Sequence, residues 1–279
     1  MTASGDDPDL SGPRWSRTAR ALVAAAVLVV VLGVAAIAVT LANPARLGTV
    51  FSGGPTSPVT DAGGSGGVGG AEVAAAETLT APRGDRRQAN FELVDGLTSF
   101  TLRAADLGDD LYRIGAPDDA GVTPRPQLTG DRVRLRIEEN GRSGPSAVEV
   151  VLNSRVTWRL RLVGGVSEQR LDLGAARLAG IELVGGAART RLSLPPLDGA
   201  LTVRMTGGVS ELTVAVPGGP PARVRVAAGA GSLALYDERR AGIAAGELIS
   251  SPGWDRAVDR LYLDLVAGAN AVSVTADRA

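Results

Sequence analysis

The fold is decided by the stretch from Trp158 to Tyr236, which reads WRLRLVGGVSEQRLDLGAARLAGIELVGGAARTRLSLPPLDGALTVRMTGGVSELTVAVPGGPPARVRVAAGAGSLALY. One pattern is written four times in it, because a pair of small residues returns at steps of 21, 22 and 21 residues. The pairs are Gly164-Gly165, Gly185-Gly186, Gly207-Gly208 and Ala228-Gly229. A fifth copy, with Ala267-Gly268, closes the chain. Because one copy of about 21 residues cannot bury its apolar side alone, the repeat predicts a stack of copies.

Apolar and polar residues alternate on both sides of each small pair, as in Trp158-Arg159-Leu160-Arg161-Leu162 and Leu171-Asp172-Leu173. A period of two predicts strands, two in each copy, which pair with the next copy at a spacing of about 4.8 Å. The predicted fold class is therefore all-β. It is a β-solenoid of stacked two-strand repeats, preceded by one transmembrane α-helix and a Gly-rich linker.

The small pairs are predicted to be turns. The step from Leu162 to Leu171 is nine residues, an odd number, so a plain strand would reverse its inward face between them. We expect a bend or bulge there, held by backbone angles that glycine adopts at low cost. The glycines assigned to these turns are Gly164, Gly165, Gly185, Gly186, Gly207, Gly208, Gly229 and Gly268.

Charged residues stand three positions before each small pair, and stacking would place them in one row on the outer surface. They are Arg161, Glu182, Arg204, Arg225 and Asp264. The favoured interpretation is a solvated row whose charges neutralise each other. The alternative is that Arg161, Arg204 and Arg225 form a stripe that binds an anionic ligand, such as teichoic acid or phosphate groups.

All 29 basic residues are arginine, and the chain has no lysine, histidine or cysteine. Within this sequence, these absences exclude Ser-His-Asp catalysis, imidazole and thiolate metal sites, and the lysine of a phosphate-binding loop. The net charge of −1 gives no electrostatic case for a nucleic acid partner. No cofactor is predicted. Abundant Ala, Gly and Arg without Lys is typical of a GC-rich genome, and we expect an actinobacterial source.

Residues 21–41 form an apolar segment of 21 residues without a charge. At about 1.5 Å per residue a helix of this length spans the hydrocarbon layer, so a single-pass transmembrane helix is predicted. Arg14, Arg17 and Arg20 precede it, which places residues 1–20 in the cytoplasm as a tail and the remainder outside. A cleaved signal peptide ending near Ala42 is the alternative, but the long apolar core favours an uncleaved anchor in the cell membrane.

Residues 42–88 are rich in Gly, Pro and Ser and are predicted to be a flexible linker, followed by an extracytoplasmic β-repeat domain over residues 89–279. Residues 91–102 look like a degenerate copy of the repeat. Residues 133–137 and 148–152 are predicted to form a further strand pair around a turn at Asn140-Gly141.

Residues 237–260 interrupt the period and are predicted to be a loop excursion. Trp254 lies in this loop. We expect it to fold back over the open end of the stack and shield the edge strand. The alternative is a ligand contact, since an aromatic residue in a long loop is a good candidate for one.

The copies LVGGVSEQRLDL, LVGGAARTRLSL, RMTGGVSELTVAV and VAAGAGSLAL, with the closing LYLDLVAGANAVSVT, resemble bacterial toast-rack β-repeat domains. These domains occur in adhesins of the bacterial envelope and at the C-terminus of the cell-wall-active antibiotics response family. The resemblance covers about residues 90–279 and implies an adhesin-like architecture. Regulatory members of the response family carry several membrane helices, whereas one is predicted here.

The expected function is a non-enzymatic envelope module that presents a rigid β-stack to cell-wall polymer or to another envelope protein. One alternative is an envelope-stress sensor that acts through a membrane signalling partner. Another is a polysaccharide-active enzyme that uses the acidic pairs Asp109-Asp110 and Asp118-Asp119, which could also hold calcium. Residues 229–234 match a dinucleotide fingerprint formally, but a strand pattern rather than a helix follows them, so no cofactor site is expected.

Overall fold

The computed structural model describes residues 78–277, which contain 19 strands and no helix. The strands in chain order are β1 Leu79–Pro82, β2 Gln88–Leu93, β3 Leu97–Ala105, β4 Asp110–Gly115, β5 Val122–Thr129, β6 Arg132–Glu139, β7 Ala147–Asn153, β8 Thr157–Leu162, β9 Val166–Asp172, β10 Arg177–Leu183, β11 Ala187–Ser193, β12 Ala200–Met205, β13 Val209–Pro217, β14 Ala222–Val226, β15 Ala230–Leu235, β16 Glu238–Ile243, β17 Glu247–Ser250, β18 Arg260–Leu265 and β19 Ala269–Asp277. The prediction of an all-β solenoid is confirmed for this part of the chain.

The predicted cytoplasmic tail, transmembrane helix and most of the linker lie outside the described residues. Over residues 78–277 the structure contains no helix with the length and apolar character needed to cross a membrane. The β-structure begins at β1, inside the range that was predicted to be linker. Pro82 ends this strand, which lies at the edge of its sheet, where proline costs no ladder hydrogen bond.

Two sheets enclose the core, and each coil of the solenoid contributes one strand to each sheet. Sheet A has the order β1-β4-β7-β3-β9-β11-β13-β19-β15-β16. Sheet B has the order β17-β14-β18-β12-β10-β8-β2-β6-β5. The strands from β7 to β15 in sheet A and from β14 to β6 in sheet B pair in parallel.

The order of the coils in space differs from their order in the chain at both ends. The last coil, β18 with β19, lies between β12/β13 and β14/β15, so the fifth copy separates the third from the fourth. At the other end, β2 with β3 lies between β6/β7 and β8/β9. The first and last coils are therefore paired on both edges, which protects them from fraying.

Strands that run in the opposite direction close the two ends of the stack. β4 and β5 pair antiparallel with β7 and β6, and β16 and β17 pair antiparallel with β15 and β14. Two sequence predictions are corrected by this arrangement. Residues 237–260 are not a simple loop, because β16 and β17 form an end coil; and the strands around Asn140-Gly141, β6 and β7, belong to opposite sheets and do not pair.

The core consists of aliphatic columns that run along the stack. In sheet B one such column is in register across Leu160, Ile181, Val203, Leu263 and Val224, which are all buried. Burying an aliphatic side chain of this size contributes about 1.5–3 kcal/mol. In sheet A, Gln169 and Thr190 interrupt the apolar column, and Thr190 Oγ1 donates to Gln169 Oε1 at 3.2 Å, so the buried pair is hydrogen-bonded.

The first glycine of each Gly-Gly turn is needed because successive turns stack backbone on backbone. A Cβ atom on Gly164 would lie 1.9 Å from the carbonyl oxygen of Asp95, and one on Gly207 would lie 2.4 Å from that of Gly185. The sequence predicted a different reason, namely angles that favour glycine. Of the eight turn glycines, Gly229 alone has a positive φ, +98°. In the three Gly-Gly turns, space between coils, not backbone angle, fixes glycine at the first position, whereas the other two turns have Ala228 and Ala267 there.

Candidate binding surface

The charged row predicted from the sequence runs along the outer surface of sheet B, and its charges alternate strictly in space. In register from one strand to the next, the row is Arg134, Glu92, Arg161, Glu182, Arg204, Asp264 and Arg225. In chain order Arg204 and Arg225 would be neighbours. Insertion of β18 places Asp264 between them, which removes the repulsion that two like charges directly opposite would cause.

Ion pairs join most neighbours in this row, which we call the alternating row. Arg161 contacts Glu92 at 3.9 Å and also pairs with Glu182. Asp264 bridges Arg225 at 2.7 Å and Arg204 at 3.7 Å. The three arginines that the sequence offered as a ligand stripe are thus each occupied by a carboxylate, an arrangement that fits the self-neutralising interpretation.

A groove of about 760 Å³ lies beside the alternating row on the same surface. Its floor includes a second row in which Arg132, Asn90 and Arg159 are in register on β6, β2 and β8. Thr202 of β12 lies farther along the groove. Arg132 and Arg159 are exposed, and within residues 78–277 neither side chain has an ion pair or hydrogen bond. Sequence reasoning did not single out these two arginines.

Gly180 creates part of the groove. The pairing of β10 with β8 shifts by one residue between Leu178 and Gly180, which leaves Gly180 opposite Arg159. A Cβ atom on Gly180 would lie 3.5 Å from Arg159 Nη1, so the guanidinium group occupies the space above the glycine. A glycine inside a strand often marks such a close approach, and it was the available sequence signal for this site.

Sheet B carries an excess of positive charge on its outer surface. Where its parallel strands run in register, the acidic residues that face outward are Glu92, Glu182 and Asp264. The outward arginines in the same registered stretch are Arg132, Arg134, Arg159, Arg161, Arg177, Arg204, Arg223, Arg225 and Arg260. The near-neutral net charge of the chain therefore conceals a basic surface on one sheet.

Trp254 packs on the outer surface of sheet B instead of covering the open end of the stack, which β16 and β17 occupy. The guanidinium carbons of Arg223 and Arg260 lie 4.9 and 5.2 Å from its ring centroid, and the Tyr262 ring centroid is 6.2 Å away. The side chain is 8% exposed. Cation–π contacts with two arginines and burial give Trp254 a structural role in holding the 251–259 segment against the sheet.

Tyr236 lies in the turn between β15 and β16, at the end of the stack that β16 and β17 close, and its φ is +55°. Its hydroxyl donates to the carbonyl oxygen of Pro220. Burial raises the pKa of Tyr236 to about 12 because the phenolate would lose solvation. Burial also raises the pKa of Tyr112.

The other features considered in the sequence have ordinary structural roles. Asp110 pairs with Arg113 at 3.6 Å, and the backbone oxygen of Asp118 accepts from Arg142 Nη2 at 2.6 Å. Within the described part of the chain, no group of three or more acidic residues has an arrangement that could hold a metal ion. Residues 230–235 form β15, so the formal dinucleotide fingerprint lies at a turn and in a strand.

Comparisons with known proteins give likeness in structure only. No family model matches the sequence. No curated protein matches it either. Among solved structures, a candidate cell adhesion protein from Clostridium sporogenes is 12% identical with a TM-score of 0.50, over 73% of this chain and 98% of that one. At this identity the likeness concerns the fold: the two chains share the same arrangement of stacked strands.

Two further solved structures are candidate adhesins with lower structural similarity. The protein from Bacteroides fragilis is 10% identical with a TM-score of 0.22, over 72% of this chain and 95% of that one. The protein from Parabacteroides distasonis is 11% identical with a TM-score of 0.21, over 72% of this chain and 96% of that one.

Proposed function

We propose that this protein is an adhesin-like, non-catalytic binding module of the cell envelope. Residues 21–41 anchor it in the membrane with the N-terminus in the cytoplasm, and the β-solenoid is presented outside. Its partner is a cell-wall polymer or another envelope protein, bound on the outer surface of sheet B. The long apolar segment and the arginines before it support the anchoring, and the fold shared with a candidate cell adhesion protein supports the adhesin-like role.

The observation that carries the proposal is the groove of about 760 Å³ on a basic, continuously paired surface. Each strand of this surface is paired on both sides, so its side chains are positioned without flexible loops. A preformed concave surface lined by arginine, asparagine and threonine side chains can bind a polar polymer at little cost in conformational entropy.

Sedimentation with isolated cell walls tests the proposal. The full-length chain in a nonionic detergent is expected to sediment with the walls, and Thr202→Trp is expected to abolish this by filling the groove. Thr275→Trp is the matched control, because it places the same ring at an exposed position on the outer surface of sheet A.

Equal sedimentation of both variants and the native chain would contradict binding through the groove. Crosslinking in native membranes provides the independent comparison. Recovery of wall polymer or an envelope protein is expected, whereas recovery of a sensor kinase alone would favour signalling over adhesion.

A further inference from the structure

We infer that the groove on sheet B binds a polymer carrying repeated oxyanion groups, phosphate or carboxylate, and that Arg132 and Arg159 are the residues that hold them. This inference rests on the proposed function, because it assigns a ligand class to the same surface. It begins from the contrast between these two arginines and the alternating row beside them.

The other two arginines that line the groove, Arg161 and Arg204, are matched with carboxylates. Outside the groove, Arg177 has no ion pair among the described residues, and Arg260 contacts Trp254. In the alternating row, Arg134, Arg161, Arg204 and Arg225 each lie within 4 Å of an acidic side chain. Arg223 of β14, which lies outside the alternating row, pairs with Asp255 at 3.0 Å. Arg132 and Arg159 have no such partner among residues 78–277, and Asn90, not an acid, lies between them. The pattern that neutralises the rest of the groove therefore stops at these two positions.

The spacing suits an extended ligand. Arg132 and Arg159 lie two strands apart and in register, a separation of about 10 Å along the stack. The Asn90 amide between them and the Thr202 hydroxyl beyond Gly180 add neutral hydrogen-bonding groups along the same line. A polymer running across the strands would meet guanidinium groups at intervals, and guanidinium binds phosphate or carboxylate through paired, charge-assisted hydrogen bonds.

Acidic side chains also line the groove, and they do not cancel the two arginines. Glu92 contacts Arg134 at 3.6 Å and Arg161 at 3.9 Å, and Glu182 pairs with Arg161. Their negative charges are thus already matched within the alternating row. An anion bound at Arg132 and Arg159 would meet a surface whose remaining charge is positive.

Sheet A provides a matched comparison. Arg170 and Arg191 are exposed, in register on neighbouring strands, and without an ion pair or hydrogen bond in the described part of the chain. The cavity they line is about 170 Å³ and includes Glu168, which pairs with Arg189. They therefore carry the same charge as Arg132 and Arg159 without the long groove.

The test is equilibrium binding of three polymers to the full-length chain in nonionic detergent. The probes are poly(glycerol phosphate), polygalacturonate and uncharged dextran of similar length. At least one anionic polymer is expected to bind, and its affinity should fall as salt screens the charges. Arg132→Gln with Arg159→Gln should lower that affinity about tenfold or more, while Arg170→Gln with Arg191→Gln should leave it within about twofold. Circular dichroism of each variant checks that the β-structure is intact.

Which anionic polymer binds distinguishes phosphate from carboxylate. Equal loss in the two double variants would overturn the inference, because binding would then follow charge alone. Dextran binding as tightly as the anionic polymers, or no binding of any anionic polymer, would also overturn it. In either of those cases, the proposed binding of cell walls through the groove would still be supported if Thr202→Trp abolishes sedimentation with whole walls. The two proposals can therefore fail separately.

Discussion

At the scale of the residue, the two glycines of the Gly207-Gly208 turn have different roles. A Cβ atom on Gly207 would lie 2.4 Å from the backbone of Gly185, whereas one on Gly208 would make an ordinary contact 3.5 Å from the carbonyl oxygen of Gly268. Neither has a positive φ. Sequence alone treats the pair as equivalent, because the stacking of one turn on the next is not visible in a single copy.

Gly207→Ala is expected to lower the free energy of unfolding by about 2–3 kcal/mol, because two backbone segments must separate to admit the methyl group. Gly208→Ala is the matched control and should change it by less than about 1 kcal/mol. Chemical denaturation followed by circular dichroism measures both. Equal effects of the two substitutions would contradict the stacked turns.

Tyr236 makes a second prediction at this scale. Its pKa of about 12 lies above the usual value of 10, so the unfolded chain loses the phenolic proton first. The stability that the protonated Tyr236 side chain contributes is therefore fully present below pH 10 and is lost as the pH rises toward 12. Spectrophotometric titration of phenolate should lose its most alkaline component in Tyr236→Phe, and the stability of that variant should fall less steeply over this range. An unchanged titration would show that Tyr236 is not the buried phenol.

At the scale of the element, Asp264 explains why β18 fits between β12 and β14. It is 6% exposed and lies between two arginines that would otherwise face each other. The chain order of the copies does not reveal this insertion, because a repeat identifies equivalent positions and not which copies are neighbours. The signs of Arg204, Arg225 and Asp264 were the available signal, since their charges alternate only when Asp264 lies between the two arginines.

Asp264→Asn should destabilise the fold by about 2 kcal/mol, because it leaves Arg204 and Arg225 without their shared carboxylate. Added salt should reduce the difference by screening the remaining charges. Glu182→Gln, at a side chain that is 38% exposed, is the control and should cost at most about 1 kcal/mol. A similar loss for both variants would contradict the special position of Asp264.

Engineered disulfides test the coil order directly, since the native chain has no cysteine. Ser273 on β19 is in register with Thr213 on β13 and with Ala234 on β15. Thr213→Cys with Ser273→Cys should crosslink readily, because neighbouring strands are about 4.8 Å apart. Thr213→Cys with Ala234→Cys should not, because β19 separates them. Crosslinking of the second pair alone would mean that the copies stack in chain order.

At the scale of the whole molecule, the sequence predicted the solenoid but not the antiparallel strands that close its two ends. Alternation around the small pairs, as at Leu160 and Leu171, was sufficient to predict two strands per copy and a buried aliphatic column. The end coil of β16 and β17 was missed because five of the six residues of β16 are exposed, which leaves no alternation to detect.

The groove was missed for a related reason. Arg132 lies in an irregular copy. Arg159 occupies an outward position at which other coils have uncharged residues, namely Asn90 on β2, Gly180 on β10 and Thr202 on β12. A search for residues that recur in every copy ignores such positions. On a regular scaffold, binding residues are expected where the repeat is broken, because the repeating positions are already committed to stacking.

The most direct measurement of the central claim, that the basic groove of sheet B is the binding surface, is arginine footprinting. An arginine-specific dicarbonyl reagent is applied to the full-length chain with and without cell-wall fragments, and modification is read by mass spectrometry. We predict that wall fragments protect Arg132 and Arg159 and leave Arg170 and Arg191 as reactive as before. Protection of the sheet A pair, or equal reactivity of all four with and without the fragments, would contradict the account.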